Sequence, residues 1–319
     1  MNAPRRTSKL AVVGAGAVGS TLAYAALARG TARTVALMDV NRTKVEAEVL
    51  DLRHGGMFVP QAEVLGSDDV EVCRDADVVV VTAGAKQRPG QSRLDLAEAT
   101  IALTRKILPG LVEVAPDATF VFVTNPVDVV TYAAQKFSGL PPQRVFGSGT
   151  VLDSSRLRQA IAEHCGVATA NVHAYIAGEH GDSEIALWSS ARIAGLPLLE
   201  WKALPGRPEL DAAARDAIAR DVVRSAYRVI EGKGATNYAI GLAATRIVEA
   251  VLNDEHRVMP VSTRIDDFYG ITDVCLSVPT VVESAGATTT VDIPLSDEEL
   301  DGLRASAEHV RAVQSRFGL

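Results

Sequence analysis

Along the first half of the chain, short apolar runs alternate with longer stretches of helical composition. The runs Lys9–Val13, Thr34–Met38, 63–65, Val78–Val81 and 119–123 have the length and β-branching of strands. Between them, 20–29, 44–54 and 94–114 favour helix. Val78-Val79-Val80-Val81 is apolar on both faces that a strand presents, which suits a parallel strand buried between two helical layers. The alternation predicts an α/β fold with a doubly wound parallel sheet.

Beyond residue 148 the pattern changes. A helix is expected over 151–165, an apolar strand over 172–176, a helix over 185–194 and a long amphipathic helix over 211–230. A break at 231–237 precedes a helix at 238–252. Strand-like runs at 258–263, 275–280 and 287–291 predict a small antiparallel sheet, and a charged helix over 297–317 closes the chain. Two domains follow, a dinucleotide-binding one over 1–148 and a mixed α+β one over 149–319.

The first assignment rests on Gly14-Ala15-Gly16-Ala17-Val18-Gly19, which turns the first strand into the first helix. The second strand ends at Asp39, about 20 residues on, where a carboxylate meets the adenosine ribose and repels a 2′-phosphate. Strand, glycine turn, helix and acid in this register describe a Rossmann unit for NAD. The same placement decides against reading Arg5-Arg6 and the apolar run after it as an export signal.

Composition narrows the function. At 319 residues with 47% hydrophobic content the chain can bury a sizeable core. A net charge of −7 offers no dense basic face, which argues against a nucleic-acid partner. Outside the N-terminal apolar run, no stretch approaches the roughly 20 apolar residues of a membrane helix. Cys73, Cys165 and Cys275 are widely spaced and lack metal-ligand grouping, so buried thiols in a reducing, cytoplasmic setting and no metal are expected.

The candidate chemistry centres on Gly178-Glu179-His180-Gly181-Asp182-Ser183, where an imidazole between glycines can exchange a proton with an alcohol near neutral pH. Alone, such a turn more often holds a structural loop residue. Asn125, at the end of a strand in Thr124-Asn125-Pro126, is a site candidate or a turn former. Residues 86–93, with Pro89-Gly90 at the centre, read as a mobile lid or a solvated loop. Asp153 and Arg156 share a helix face at i and i+3, as a site pair or a surface ion pair.

Taken in order, the glycine turn, Asp39, Thr82-Ala83-Gly84-Ala85, Ser92-Arg93-Leu94-Asp95-Leu96, Thr124-Asn125-Pro126-Val127-Asp128, Leu152-Asp153-Ser154-Ser155-Arg156 and Gly178-Glu179-His180-Gly181-Asp182 resemble the L-lactate and malate dehydrogenase family over essentially the whole chain. The resemblance implies reversible hydride transfer between NAD and a small 2-hydroxy acid. It makes His180 the acid/base, Asp153 its partner, Arg156 the clamp on the substrate carboxylate and Arg93 the group polarising the keto oxygen. Asn125 and Thr236 would line the site, with Gly14, Gly16, Ala17, Val18, Gly19, Asp39, Thr82, Ala83 and Gly84 around the cofactor. Gln87 stands where malate enzymes of the family carry Arg, which implies pyruvate and L-lactate as substrates, with malate dehydrogenase as the alternative. Arg158 and His173 match positions where bacterial members bind fructose 1,6-bisphosphate, and a homotetramer is the family expectation. An NAD-binding protein without turnover would need a broken catalytic set, whereas His180, Asp153, Arg156 and Arg93 are all present.

Overall fold

The structure, a computed structural model, describes residues 8–84 and 93–319. The chain divides into two compact units. One takes the residues up to Ser148 together with Asn237–Arg257 and Val282–Thr288; the other takes Gly149–Thr236, Val258–Val281 and Thr289–Leu319.

The first unit is built on strands β1 (Lys9–Val13), β2 (Thr34–Met38), β3 (Glu63–Ser67), β4 (Val78–Val81), β5 (Thr119–Phe122) and β6 (Val145–Gly147). They lie in the order β3-β2-β1-β4-β5-β6 with every pairing parallel. Helices α1 (Ala17–Arg29), α2 (Arg42–His54), α3 (Arg93–Val114) and α4 (Val127–Ser138) alternate with them. All four β4 valines are at most 1% exposed. Val79 and Val81 pack with Leu108 and Leu111 of α3 and Val130 of α4, while Val78 and Val80, one residue out of phase, point to the opposite face. Each such side chain contributes about 2 kcal/mol of transfer free energy. The order of connection reverses between β1 and β4, which opens a crevice at their carboxyl ends.

Sequence reading left α4 and β6 unassigned. Four residues of the first six in α4 are β-branched, which hides a helix behind strand-like composition, and β6 is only three residues long.

The helix Tyr238–Leu252 returns from far along the chain to pack on α1. A Cβ on Gly241 would lie 2.7 Å from Thr21 Cγ2 and 3.2 Å from the Leu22 nitrogen, so glycine permits the close crossing. Glu249, 8% exposed, anchors it: it accepts from Arg29 Nε at 2.6 Å and Nη2 at 2.8 Å and from Arg246 Nη1 at 2.9 Å. Burial works to raise the Glu249 carboxyl, but the hydrogen bonds and charge of Arg29, then Thr31 and Arg246, hold it below the ordinary carboxylate range.

The second unit holds α5 (Val151–Cys165), β7 (Val172–His173), β8 (Ile176–Ala177), β9 (Ile185–Ala186), β10 (Arg192–Ile193), β11 (Leu196–Pro197) and α6 (Ala212–Lys233). After the Tyr238–Leu252 helix, α7 in chain order, come β12 (Arg257–Ile265) and β13 (Val274–Glu283), both mostly in this unit, β14 (Gly286–Thr290), most of which belongs to the first unit, and α8 (Asp297–Arg316), again in the second. Leu157 and Ile161 of α5, Val172, Ile176, Ile193 and Ile218 form its core. The helix expected over 185–194 is absent. In its place β9 pairs with β8, and β10 forms a hairpin with β11 through Ala194-Gly195. Both turn residues have positive φ, 51° and 84°, the geometry of a two-residue hairpin, and Ile185, Leu187, Ala191 and Ile193 carry the period of strands.

Replacing Glu249 with Ala should lower the unfolding free energy by about 1 to 3 kcal/mol at pH 7, less than for a fully enclosed pair because Arg29 stays 48% exposed. A depressed carboxyl stabilises above its unfolded value and loses that contribution as pH falls through the folded one. Urea denaturation at pH 7 and pH 3 should show the deficit shrinking in acid.

Candidate active site

In the first unit, the crevice at the ends of β1 and β4 is shaped by backbone contacts. Gly14 adopts φ +103° and donates its N–H to Met38 O at 2.7 Å, tying the turn after β1 to the end of β2. Thr82 Oγ1 reaches Gly14 O at 2.9 Å, and a Cβ on Gly14 would lie 2.8 Å from the Ala83 nitrogen. Asp39 accepts from the Ala15 N–H at 2.8 Å and the Asn41 N–H at 2.9 Å, so both carboxylate oxygens are held by backbone. α1 begins at Ala17 and Val18 with no side-chain cap at Gly16 and no acid in its first turn. Its first N–H groups therefore present a positive end suited to a pyrophosphate. Gly84 packs against Thr124, and Asn125 stands exposed just past β5.

In the second unit, Asp153 lies in the first turn of α5 with its side chain 2% exposed. Its Oδ1 accepts from Arg156 Nη1 at 2.6 Å and its Oδ2 meets His180 Nδ1 at 2.6 Å. The surface-pair reading of Asp153 and Arg156 is thereby corrected, since Arg156 is itself only 16% exposed. Burial acts to raise the Asp153 carboxyl, but His180 and Arg156 outweigh it and hold it below the ordinary range. The turn that carries His180 is clamped at its root: Gly178 and Ser277 exchange backbone hydrogen bonds at 2.9 Å, and the Glu179 N–H donates to Ser306 Oγ at 2.8 Å. Asp182, further along, accepts from the Tyr227 hydroxyl of α6 at 2.7 Å.

The remaining candidates are placed unevenly. Thr236 is half-buried in the short segment that follows α6. Gln87 lies outside the described residues, as does most of the expected lid, and of Arg93 only the backbone at the start of α3 is described. Arg158 donates from Nε to Ala174 O at 2.8 Å and stacks over the Tyr175 ring, beside exposed His173 on β7. Two residues escaped sequence reading. Arg192 on β10 is the register partner of His173, which brings a second guanidinium there beside that of Arg158. Glu184 places a carboxylate oxygen within 4.8 Å of Asp153 and His180. An acid four residues past the histidine was the only signal for it.

Comparison with known proteins gives the same picture from outside. A family model described as lactate/malate dehydrogenase, NAD binding domain, matches residues 8–147, and the α/β C-terminal domain of the same family matches 150–315. The chain belongs to the lactate/malate dehydrogenase family. It is 56% identical over 318 residues to an L-lactate dehydrogenase of Bifidobacterium animalis subsp. lactis, covering 100% of this chain and 99% of that one. An L-lactate dehydrogenase of Thermoanaerobacter is 44% identical, covering 96% and 98%. Among solved structures, the minor L-lactate dehydrogenase of Enterococcus mundtii superposes with a TM-score of 0.93 at 39% identity, covering 98% and 99%.

NAD is the cofactor of this family member, and the first unit fits it. Nothing lies within 4 Å of a Cβ built on Gly16, the open space that a pyrophosphate would need, whereas a Cβ on Gly19 would fall 1.8 Å from Gly14 O. The two glycines should therefore separate on substitution. Gly16→Ala should keep the wild-type melting temperature and weaken NADH binding at least tenfold, whereas Gly19→Ala should lower both. Fluorescence titration with NADH and thermal denaturation of the unliganded protein distinguish the two outcomes.

Proposed function

We propose that the chain is an NAD-dependent L-lactate dehydrogenase, interconverting L-lactate and pyruvate, with cofactor groups in 1–148 and substrate groups in 149–319. The observation that carries this reading is the single buried carboxylate of Asp153, which holds both His180 and Arg156. With Nδ1 engaged by Asp153, His180 exchanges the substrate proton through Nε2: neutral, it accepts the lactate hydroxyl proton, and Asp153 stabilises the imidazolium that forms. Arg156 gives one N–H to Asp153 and has further donors to grip a carboxylate in parallel. Bound NAD supplies the hydride acceptor. Arg93 polarises the keto oxygen in the reverse direction, Asn125 borders the nicotinamide and Thr236 lines the substrate pocket.

Substrate choice rests on Gln87. Enclosing the second carboxylate of oxaloacetate without a cation there would cost about 3 to 5 kcal/mol, or roughly two to four decades of discrimination. Pyruvate should exceed oxaloacetate in kcat/KM by that margin, measured by nicotinamide absorbance, and Gln87→Arg should narrow or reverse it. Parity in the wild type would favour malate dehydrogenase instead.

The same reading includes a cytoplasmic enzyme, supported by three cysteines that are all buried, and a homotetramer, supported by apolar residues left exposed on the first unit, among them Tyr24 at 64%, Met57 at 91% and Phe58 at 83%. No helix among the described residues is long and apolar enough to cross a membrane. It also includes activation by fructose 1,6-bisphosphate at Arg158 and His173, with Arg192 contributing. Symmetry-related copies of these cations would repel across a subunit interface, and a doubly phosphorylated sugar would offset that cost. Pyruvate saturation curves with and without the sugar bisphosphate test this. Undiminished activation in Arg158→Gln would place the effector elsewhere.

A further inference from the structure

We propose that Glu184 is a positioning residue for the reaction, a carboxyl held against the His180–Asp153 pair whose charge sets how firmly His180 keeps its proton. The inference rests on the lactate dehydrogenase reading and adds to it a residue that acts through the histidine. Asp153, His180 and Glu184 each bring a nitrogen or oxygen within 4.8 Å of the other two. Glu184 directly precedes β9, whose pairing with β8 sets Ile185 opposite Ala177. From the other side α8 closes on β9, with Ile185 Cγ2 3.1 Å from where a Cβ on Gly302 would stand. The backbone beneath the carboxyl is therefore fixed.

One carboxyl oxygen, Oε1, is buried and has no hydrogen-bond partner among the described residues. An ionised carboxylate in that position would leave charge uncompensated, so the neutral acid is favoured. Burial, then Asp153 and Asp182, push the group up to about 8, against the pull of His180 and Arg156. The groups facing it are Asp153 and Arg156 from α5 and His180 and Asp182 from its own turn. On α8, Glu299 is committed to the N–H groups of Ser189 and Ser296, and His309 lies 3.7 Å from Glu179. Of the groups facing Glu184, His180 is the one that changes charge during turnover. Each therefore shifts the other: an ionised Glu184 favours the imidazolium, and an imidazolium favours loss of the Glu184 proton. Pyruvate reduction needs His180 protonated. As pH rises, the wild-type enzyme gains a negative charge beside the imidazolium and keeps its proton longer than a variant that cannot ionise.

The test is kcat/KM for pyruvate from pH 5.5 to 9.5 in the wild type, Glu184→Gln and Glu184→Asp, with NADH affinity measured alongside to register general damage. The ratio of wild type to Glu184→Gln should grow about tenfold between pH 6 and pH 9, equivalent to a decline that begins about one pH unit lower in the variant. Glu184→Asp should recover part of that shift. A ratio constant across pH, whatever its size, would mark a merely structural residue and overturn the proposal, as would an Asp variant no better than Gln. Failure of the wild type to reduce pyruvate would count against the functional reading alone. In that case NMR titration of labelled histidine, with the His180 signal assigned by its loss in His180→Asn, decides: a midpoint about one unit lower in Glu184→Gln supports the proposal, and equal midpoints overturn it.

Discussion

A carboxylate removed from water must be answered by charge and hydrogen bonds, and Asp153 is answered twice, by Arg156 on one oxygen and His180 on the other. Arg156 comes from the next turn of the same helix, so helical geometry alone delivers it. His180 comes from 27 residues away and must be delivered by the fold. That is why Ser277 and Ser306 grip the root of its turn, and why the core beneath α5 has to be rigid. A side chain held by one buried anion cannot drift from the orientation in which its second nitrogen meets substrate.

The nucleotide crevice solves a different problem by different means. Its shape depends on main-chain approach rather than on charge: the turn after β1 is bonded to the end of β2, and Thr82 closes it from β4. Asp39 is oriented by two backbone N–H groups before any ribose arrives. Little reorganisation is left for binding to drive, so affinity there derives from fit.

Features that repeat with a simple period, or that need particular residue types at particular spacings, were legible in the sequence. The buried valines of β4, the glycine turn, Asp39 and the Asp153–Arg156 face belong to this class. What escaped depends on neighbours distant in the chain. The 185–194 segment has helical composition, yet an Ala in left-handed conformation before Gly195 makes a hairpin there, because β7 and β8 offer partners that local preference does not reveal. Glu184 and Arg192 were passed over for the same reason. A lone acid or arginine acquires meaning only when folding sets it beside His180 or His173.

The way α7 closes on α1 bears on how the protein is made. Residues 237–257 and 282–288 belong to the first compact unit although most of the second is encoded between or before them. During synthesis the six parallel strands can emerge well before the helix that covers α1, and the Glu249 anchor for Arg29 comes 220 residues after it. A nascent chain halted near Ser148 would present the α1 face to water, exposing apolar surface to the machinery that guards unfinished proteins. The nucleotide-binding half is thus among the first parts translated and among the last completed.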